Sequence, residues 1–515
     1  MSLTRRQFLW GATASGLAWP LIASAQTRGD QLFRHGVASG DPQANAVMLW
    51  TRVTPAGNVR VARPVEVRWR IGTDAALSRT LQSGSVTTSG DRDFTVKVDA
   101  RGLEPGRTYY YAFEAGGQRS PVGRTKTLPD AAGRVERLNF ASVSCANYPA
   151  GFFNVYRMLA ERQELDAIVH LGDYIYEFRN GEYGEGGPLN RLPQPLKESV
   201  TLEEYRQRYA TYRTDPDLQE AHRQHAFIAV WDDHELANDA WSNGAANHNP
   251  NQGEGDWATR KAAAWKAYLE WMPIREQQDA GIKLYRRFRF GTLADLVMLD
   301  TRSLRDQQVP ADDLRALADP NRRLMGAAQE NWFFETLRAS QRDGVTWRLI
   351  GQQIMFSRLM PAGRPVQSAD AWEGYQAERE RVLTFLERER ARNIVILTGD
   401  LHSTWALDVP RNPWGGYRPQ TGEGSLAVEL VTPAISSPGL FQAETASQIT
   451  AALRVAVPSL KFLEGLSQGY THIEVTPQRV RATWHHAQTV YERSAVQRVA
   501  ASFVCESGAS RLAPA

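Results

Sequence analysis

Cysteine is scarce in this sequence: among 515 residues there are two, Cys145 and Cys505. A disulfide framework is therefore excluded as the basis of the fold, because such frameworks need several pairs. Several interpretations of the two thiols stay open. They form one disulfide in an oxidising compartment, they are simply buried, or Cys145 acts as a catalytic nucleophile or a metal ligand.

Net charge and long apolar runs are also lacking. The formal net charge is +3, which indicates neither nucleic-acid binding nor an anionic membrane surface as partner. No stretch after residue 25 is apolar enough to span a bilayer, so we expect no transmembrane segment. The sequence also shows no internal repeat of fixed period.

The first residues do contain an export motif. Thr4-Arg5-Arg6-Gln7-Phe8-Leu9 has the twin-arginine pattern, and the apolar stretch that follows, residues 11–22, is too short for a settled membrane helix. Ala23-Ser24-Ala25 is a small-residue cleavage site, so residues 1–25 are predicted to be a signal peptide. We expect the precursor to use the Tat export machinery and the mature protein to be periplasmic or extracellular.

The rest of the chain changes texture once. Residues 28–130 hold short alternating or apolar runs such as Val65–Ile71, which predict a small, fibronectin-like β-sandwich domain. From Val135 strands alternate with amphipathic helices such as Leu202–Tyr212, which predicts an α/β domain of layered sheets flanked by helices over residues 135–490. Residues 491–515 are expected to be a C-terminal extension. The Gly-rich loops at 179–197 and 242–256 are predicted to wall or cover a site.

Polar side chains gather just after several predicted strands. They are Cys145 with Asn147, Asp173 with Tyr176, Asp232-Asp233-His234 with Asn238 and Asp239, and Asp400 with His402. Ligands of open α/β sheets bind outside the carboxyl ends of the strands. So many carboxylates converge only at a high cost in repulsion and desolvation, which bound cations remove.

The donor types indicate a mixed metal site. Asp, Asn and backbone oxygens suit calcium, magnesium or manganese, whereas a thiolate, a phenolate and an imidazole suit a transition metal. A tyrosinate favours ferric iron, because a hard anionic donor matches a small trivalent ion. The sequence therefore predicts one transition metal with one or two hard cations.

These motifs resemble the PhoD family of metallophosphoesterases. The matching stretches are Ser144-Cys145-Ala146-Asn147-Tyr148, His170-Leu171-Gly172-Asp173-Tyr174-Ile175-Tyr176-Glu177, Tyr205-Arg206-Gln207-Arg208-Tyr209 with Tyr212-Arg213, Trp231-Asp232-Asp233-His234-Glu235 with Asn238-Asp239, Leu299-Asp300-Thr301-Arg302 and Leu397-Thr398-Gly399-Asp400-Leu401-His402-Ser403. The N-terminal stretch that begins at Gly36 is similar to the family's N-terminal domain. The resemblance implies an α/β fold: a layered metallophosphoesterase sandwich of mixed sheets.

The resemblance also implies an exported alkaline phosphatase. Such an enzyme hydrolyses phosphate mono- and diesters, with a metal-bound hydroxide or oxide as nucleophile. A phospholipase D-type phosphodiesterase on the same scaffold is the alternative, so the expected substrates are small phosphate esters, phospholipids or other phosphodiesters. We expect a monomer without a specific nucleic-acid partner. A thiol hydrolase built on Cys145 leaves the carboxylates unexplained, and a non-catalytic binding protein leaves the ligand set without a use.

Site residues follow from the resemblance, motif by motif, with Fe³⁺ and a pair of Ca²⁺ ions as cofactors. Iron would be held by Cys145, Asp173, Tyr176 and His402, with Asp173 bridging to calcium. Calcium would take oxygen ligands from Asp233, Asn238 and Asp400. The expected catalytic residue is His234, which contacts phosphate oxygens or protonates the leaving group. Around these ligands or against the substrate we expect Asn147, Asp232, Asp239 and Gln352.

Overall fold

The structure is a computed structural model that describes residues 32–55, 63–276 and 283–515. The predicted signal peptide at residues 1–25 lies outside the described residues. Within them the chain forms 22 β-strands and eight α-helices, and the strands divide among a ten-stranded, a seven-stranded and a five-stranded sheet.

The ten-stranded sheet has three short parallel strands at its centre, β9 (Leu138–Val143), β10 (Ala167–His170) and β11 (Ala226–Ala229). These strands are apolar and almost fully buried, as parallel strands covered on both faces must be. In spatial order the sheet comprises β22 (Ala513–Pro514), β21 (Gln497–Glu506), β20 (Arg479–Ala487), β19 (Gly469–Val475), β9 (Leu138–Val143), β10 (Ala167–His170), β11 (Ala226–Ala229), β1 (Val37–Gly40), β2 (Ala46–Arg52) and β5 (Thr95–Arg101).

The seven-stranded sheet shares one hydrophobic core with the ten-stranded sheet. Phe140 of the first sheet packs edge-on against Phe290 of the second, with ring centroids 4.9 Å apart. In spatial order this second sheet comprises β12 (Arg286–Phe290), β13 (Ala294–Met298), β14 (Trp347–Gln352), β15 (Ile394–Thr398), β17 (Ser425–Val431), β16 (Thr404–Pro410) and β18 (Leu460–Glu464). Its inner strands β13, β14, β15 and β17 pair in parallel. The predicted α/β fold of layered, mixed sheets is confirmed.

The N-terminal sandwich shares one of its sheets with the rest of the protein. Its five-stranded sheet comprises β4 (Thr80–Thr88), β3 (Val65–Gly72), β6 (Thr108–Ala115), β7 (Gln118–Arg119) and β8 (Gly123–Lys126). This sheet packs on side chains from β1, β2 and β5, which form the edge of the ten-stranded sheet. The joint is a parallel pairing of β1 with β11, at Ser39 opposite Ala226. The boundary expected near residue 130 is therefore not a break between sheets.

The C-terminal residues behave in the same way. Within residues 491–515, expected to be an extension, β21 pairs with β20 and β22 pairs with β21, so they supply the other edge of the ten-stranded sheet. Cys505 lies in β21 and is buried and unpaired, as is Cys145. The single-disulfide interpretation is therefore wrong.

Helices flank the two large sheets. They are α1 (Asn154–Ala160), α2 (Leu202–Tyr212), α3 (Pro216–Gln224), α4 (Trp257–Trp271), α5 (Leu314–Leu317), α6 (Gly326–Arg342), α7 (Gln376–Arg388) and α8 (Ala443–Ala456). The N-terminus of α2 carries a capping box made by Thr201 and Glu204, and Asp215 and Asp256 cap α3 and α4. None of the helices in the described part of the chain is long and apolar enough to cross a membrane.

Candidate active site

Side chains from four strand ends meet at one place in the fold. Two to four residues after the ends of β9, β10, β11 and β15 lie, in that order, Cys145, Asp173, Asp233 and Asp400. The backbone N–H of Cys145 donates to the carbonyl of Gly172 at 3.1 Å, and that of Ala146 donates to the carbonyl of Asp173 at 2.8 Å. The turns after β9 and β10 are thus bonded directly to each other, which fixes the thiol beside the first carboxylate.

Three groups of metal-type donors lie here, and within each group the donor atoms are all within 4.8 Å of one another. The groups are Cys145, Asp173 and His402; Asp173, Asp233 and His234; and Asp232, Asp233 and Asp400. Because Asp173 and Asp233 each belong to two groups, the donors form one continuous cluster. The structure therefore brings together most of the residues that the motifs singled out.

Tyr176 joins the first group through its hydroxyl. The hydroxyl donates to Asp173 Oδ2 at 3.0 Å and lies 3.1 Å from His402 Nε2, while Ser437 donates to it at 2.8 Å. Burial, together with the nearby Asp173 and Cys145, raises the pKa of Tyr176 well above its usual range. Only a bound cation would favour the phenolate in this position.

The turns that carry the donors have an unusual backbone. The φ angle lies between 50° and 63° at Cys145, Asp173, Asp239, Asp400 and His402. Left-handed backbone costs a residue with a side chain about 1–2 kcal/mol, and such residues concentrate at functional sites. The surrounding contacts must therefore hold these turns in place.

Glu235 is one of the residues that hold them. Its buried carboxylate accepts backbone N–H bonds from Asp173 (3.1 Å), Tyr174 (2.6 Å) and Asp232 (2.8 Å). The first two donors belong to the turn after β10 and the third to the turn after β11. One side chain thus links two donor-bearing turns, although its motif alone did not indicate this role.

Arg302 is the buried counter-charge of the cluster. Its guanidinium contacts Asp232, Asp400 (3.0 Å) and Asp370 (2.7 Å) and is itself fully buried. Even so, burial and neighbouring carboxylates raise the pKa values of Asp173 and Asp400 to about 8. The guanidinium therefore does not offset the cost of burial for every acid of the group.

The sequence motifs did not indicate Asp370 as a site residue, and they did not indicate the role of Arg302. Asp370 lies in the segment between β14 and α7, where no motif marks it. Its carboxylate also accepts hydrogen bonds from Arg305 Nη2 at 2.6 Å and from Gln308 Nε2 at 2.7 Å. Arg302 could have been found, because it lies four residues after the end of β13 in a matching motif and the acidic cluster requires a buried positive charge.

His234 is held by Glu177 and enclosed by aromatic rings. Its Nδ1 lies 2.8 Å from Glu177 Oε2, and the rings of Tyr176 and Phe178 lie 4.3 and 5.1 Å from its own. Glu177 Oε1 accepts the backbone N–H of Asn238 at 2.7 Å. Burial opposes charge on the imidazole, but Glu177, Asp173 and Asp233 outweigh it and raise the pKa of His234 well above its ordinary value. Glu177 lies in a matching motif, yet the motif did not indicate this contact.

His402 has the opposite character. Burial, with the positive His234 nearby, lowers the pKa of His402 to about 4. Its Nδ1 lies 3.1 Å from the carbonyl oxygen of Pro438 and 2.9 Å from the hydroxyl of Tyr183, and its Nε2 faces Tyr176. A neutral imidazole anchored through one nitrogen is the usual form of a histidine metal ligand.

The remaining predicted residues lie around this cluster in different ways. Asp239 donates its backbone N–H to Asp233 Oδ2 at 2.6 Å, and its carboxylate belongs to none of the three groups. Asn147 Nδ2 donates to the carbonyl of Tyr183 at 2.6 Å. Gln352 bonds Thr398 at 2.7 Å and Trp372 at 3.1 Å through the two ends of its amide, and neither partner is a candidate ligand.

Several donor atoms at the centre have no hydrogen-bond partner in the described part of the chain and are free to bind a cation. Asp173 Oδ1, Asp232 Oδ2 and Asn147 Oδ1 are buried and have no hydrogen-bond partner within the described ranges. Buried polar atoms without partners are rare, and a bound ion is a standard reason for them. Hard oxygen donors together with a thiol, a phenol and an imidazole fit the mixed set of metals expected from the sequence.

Fold and site define the class of this protein: a layered α/β protein with an acidic cluster of metal-ligand side chains at the carboxyl ends of its parallel strands. Comparison with known proteins then identifies the family. The model of the PhoD-like phosphatases matches residues 140–484, and the model of the N-terminal domain of PhoD-like phosphatases matches residues 18–129. The chain belongs to the PhoD-like phosphatase family and is a phosphoric ester hydrolase.

Two comparisons show the extent of the similarity. Alkaline phosphatase D of Bacillus subtilis (strain 168) is 35% identical over 526 residues, covering 97% of this chain and 87% of the relative. A solved structure of PhoD is 34% identical, with a TM-score of 0.84 over 94% of this chain and 92% of the other. The resemblance that the motifs indicated is confirmed across nearly the whole length.

Proposed function

We propose that this protein hydrolyses phosphate mono- and diesters as an alkaline phosphatase whose centre takes one Fe³⁺ and two Ca²⁺ ions. The observation that carries the proposal is the continuous cluster of three donor groups. In it, buried carboxylate oxygens that lack a hydrogen-bond partner among the described residues lie close to a thiol and a phenol. Iron and calcium differ in the donors they prefer, and the cluster offers both kinds side by side.

The ligands divide by donor type. Iron would be held by Cys145, Asp173, Tyr176 and His402, and calcium by Asp233, Asn238 and Asp400, with Asp173 shared and Asp232 adjacent. When bound, these ions would neutralise charge on the phosphoryl oxygens and promote attack by water. The outer residues keep their proposed places around the ligands, although the contacts of Gln352 make it the weakest member of that set.

His234 is proposed to serve the leaving group. Because its Nδ1 donates to Glu177, its Nε2 is the nitrogen left for the substrate. A positively charged imidazole is suited to stabilise the phosphoryl oxygens and to give a proton to the alcohol oxygen as the ester bond breaks. Glu177 keeps the ring oriented and stabilises its charge.

Arg302 is proposed to maintain the charge balance of the centre. Its contacts with Asp232 and Asp400 favour the ionised carboxylates, which are the forms that bind cations. Its full burial leaves it little freedom to move toward a substrate, so this is a supporting role.

The setting of the enzyme is also a proposal. The twin-arginine motif at Arg5 and Arg6 supports export in the folded state through the Tat machinery, to the periplasm or outside the cell. We propose that the enzyme acts as a monomer on small phosphate esters and that phospholipids or other diesters are further substrates. A specific nucleic-acid partner is not proposed.

Metal analysis of the exported protein tests the proposal, together with assays on p-nitrophenyl phosphate and bis-p-nitrophenyl phosphate. We expect iron and calcium in the purified enzyme, a visible charge-transfer band, and turnover of both esters. Cys145→Ser should lose that band and most activity. A colourless wild-type enzyme that contains zinc would disprove the iron assignment.

A further inference from the structure

Tyr183 contacts the active site from a surface loop and was not among the residues predicted from the sequence. It lies in the Gly-rich segment at 179–197, which was expected to wall the site. Its hydroxyl is 2.9 Å from Nδ1 of His402. Its ring lies nearly parallel to those of His234 (13°, centroids 6.4 Å apart) and His402 (25°, 6.0 Å).

The loop holds Tyr183 in a defined position. The backbone N–H of Gly181 donates to the carbonyl of Gly184 at 2.9 Å, which closes a tight turn around Tyr183. The side chain of Asn147 donates to the Tyr183 carbonyl at 2.6 Å and ties this turn to the segment after β9. The tyrosine is therefore placed before any substrate arrives, which reduces the entropy lost on binding.

Proton accounting shows which way the hydroxyl donates. Nδ1 of His402 also lies 3.1 Å from the carbonyl oxygen of Pro438, which can only accept a hydrogen bond. Nδ1 therefore carries the proton and shares it between the Pro438 carbonyl and the oxygen of Tyr183, so the tyrosine oxygen is an acceptor in this contact. The hydroxyl's own proton then has no acceptor within hydrogen-bond distance in the part of the chain that the structure describes.

The position of the residue supplies the direction. Tyr183 is half-buried, whereas Tyr176 behind it is 2% exposed, so Tyr183 lies on the solvent side of the cluster. Nε2 of His234 also lacks a hydrogen-bond partner among the described residues. Two unused polar groups thus flank the same approach to the centre.

We propose that Tyr183 is a substrate-contacting residue of this phosphatase: its hydroxyl accepts the Nδ1 proton of His402 and donates its own hydrogen bond to an oxygen of the bound phosphate ester. The inference uses phosphate-ester hydrolysis, which the family establishes, and does not depend on which metals occupy the centre. A hydrogen bond to a charged oxygen is worth about a ten- to hundred-fold change in binding.

The test is Tyr183→Phe in the full-length enzyme, because this change keeps the ring and removes only the hydroxyl. We measure kcat and KM on p-nitrophenyl phosphate, the inhibition constant of inorganic phosphate, the metal content and the visible spectrum. The matched control is Tyr417→Phe, which removes a hydroxyl that donates to Asp408 at 2.7 Å outside the site. We expect KM and the phosphate inhibition constant to rise at least about ten-fold in Tyr183→Phe alone, with metal content and spectrum unchanged.

Two results would overturn the proposal. Phosphate inhibition equal to that of the wild type would show that the hydroxyl does not touch the ligand. A fall in metal content, with unchanged phosphate inhibition per metal-loaded site, would show that Tyr183 acts only by positioning His402. Neither result would affect the assignment of the protein as a phosphatase, which the activity of the wild-type enzyme tests.

Discussion

The close approach of Gly172 to Asp232 sets the distance between two donor-bearing turns. Gly172 has a φ of +106°, and a Cβ added there would lie 2.4 Å from the Asp232 Cβ and 2.5 Å from the Asp232 backbone nitrogen. These neighbours belong to a turn held by Glu235, so they cannot swing away like the end of a flexible side chain. Gly172→Ala must therefore push apart the turns that carry Asp173 and Asp232.

The magnitude follows from two contributions. Strained backbone costs about 1–3 kcal/mol, and the overlap in a packed site costs about 1–3 kcal/mol more. For a chain of 515 residues the unfolding entropy is on the order of 1 kcal/mol per kelvin. We therefore expect Tm to fall by about 2–6 °C. A shift of about 1 Å in the reacting groups costs roughly 100-fold in rate, so kcat/KM should fall about 100-fold.

Gly117→Ala is the matched control. Gly117 also has a positive φ, +76°, but an added Cβ there meets nothing within 4 Å. This variant should show the backbone strain alone, with a smaller fall in Tm and wild-type kinetics. Calorimetry and p-nitrophenyl phosphate hydrolysis measure both effects. If kcat/KM of Gly172→Ala stays within about three-fold of the control, the close approach does not set the geometry of the centre.

Three further predictions concern the charges of the site. Chelation with EGTA should suppress turnover, because the oxygen donors are proposed to hold calcium, and added calcium should restore it. His234→Ala should lower kcat by about 10²–10⁴-fold with metal content retained, because it removes a proton donor. Arg302→Leu should lower Tm and metal affinity together, since breaking a buried charge pair costs about 3–5 kcal/mol; in Arg52→Leu, which breaks the buried pair with Asp93 in the N-terminal sandwich, only Tm should fall.

Each of these predictions has a result that would contradict it. Full activity in excess EGTA would rule out essential calcium. Loss of metal from His234→Ala would make the histidine a ligand, as its membership of the second donor group allows. Equal metal affinity in Arg302→Leu and Arg52→Leu would show that the guanidinium does not support the carboxylates.

The sequence predicted the individual strands better than their assembly. Apolar runs such as Ala167–His170 and Ile394–Thr398 are short, buried strands, as their composition indicated. The pairing of β1 with β11 joins Ser39 to Ala226, residues far apart in the chain, and neither strand carries a local sign of its partner. The same holds for β21, which extends the sheet at its other edge. The pairing of strands that are distant in the chain depends on tertiary packing, and the local pattern of apolar side chains does not specify it.

The site was predictable where chemistry follows strand ends. Cys145, Asp173 and Asp400 were identified because a strand followed by a turn places its next polar residue in the crevice. Glu177 and Glu235 were not, although both lie in recognised motifs. Within an irregular turn the direction of a side chain depends on φ values such as that of Asp173, and the sequence does not specify them. Tyr183 could not be identified as a site residue without knowing the conformation of the whole loop at 179–197.

The charge of the site explains why these supporting residues are needed. Without bound cations, Arg302 does not neutralise all the acids of the site, and burial raises the pKa values of Asp173 and Asp400. Trivalent iron with two divalent ions would outweigh the negative charge of the proposed ligands, which are one thiolate, one phenolate and the carboxylates of Asp173, Asp233 and Asp400. The loaded centre would then be positive and attract a phosphate group, which carries close to two negative charges near neutral pH. The same acids that make the centre unfavourable without cations would make it a phosphate site with them.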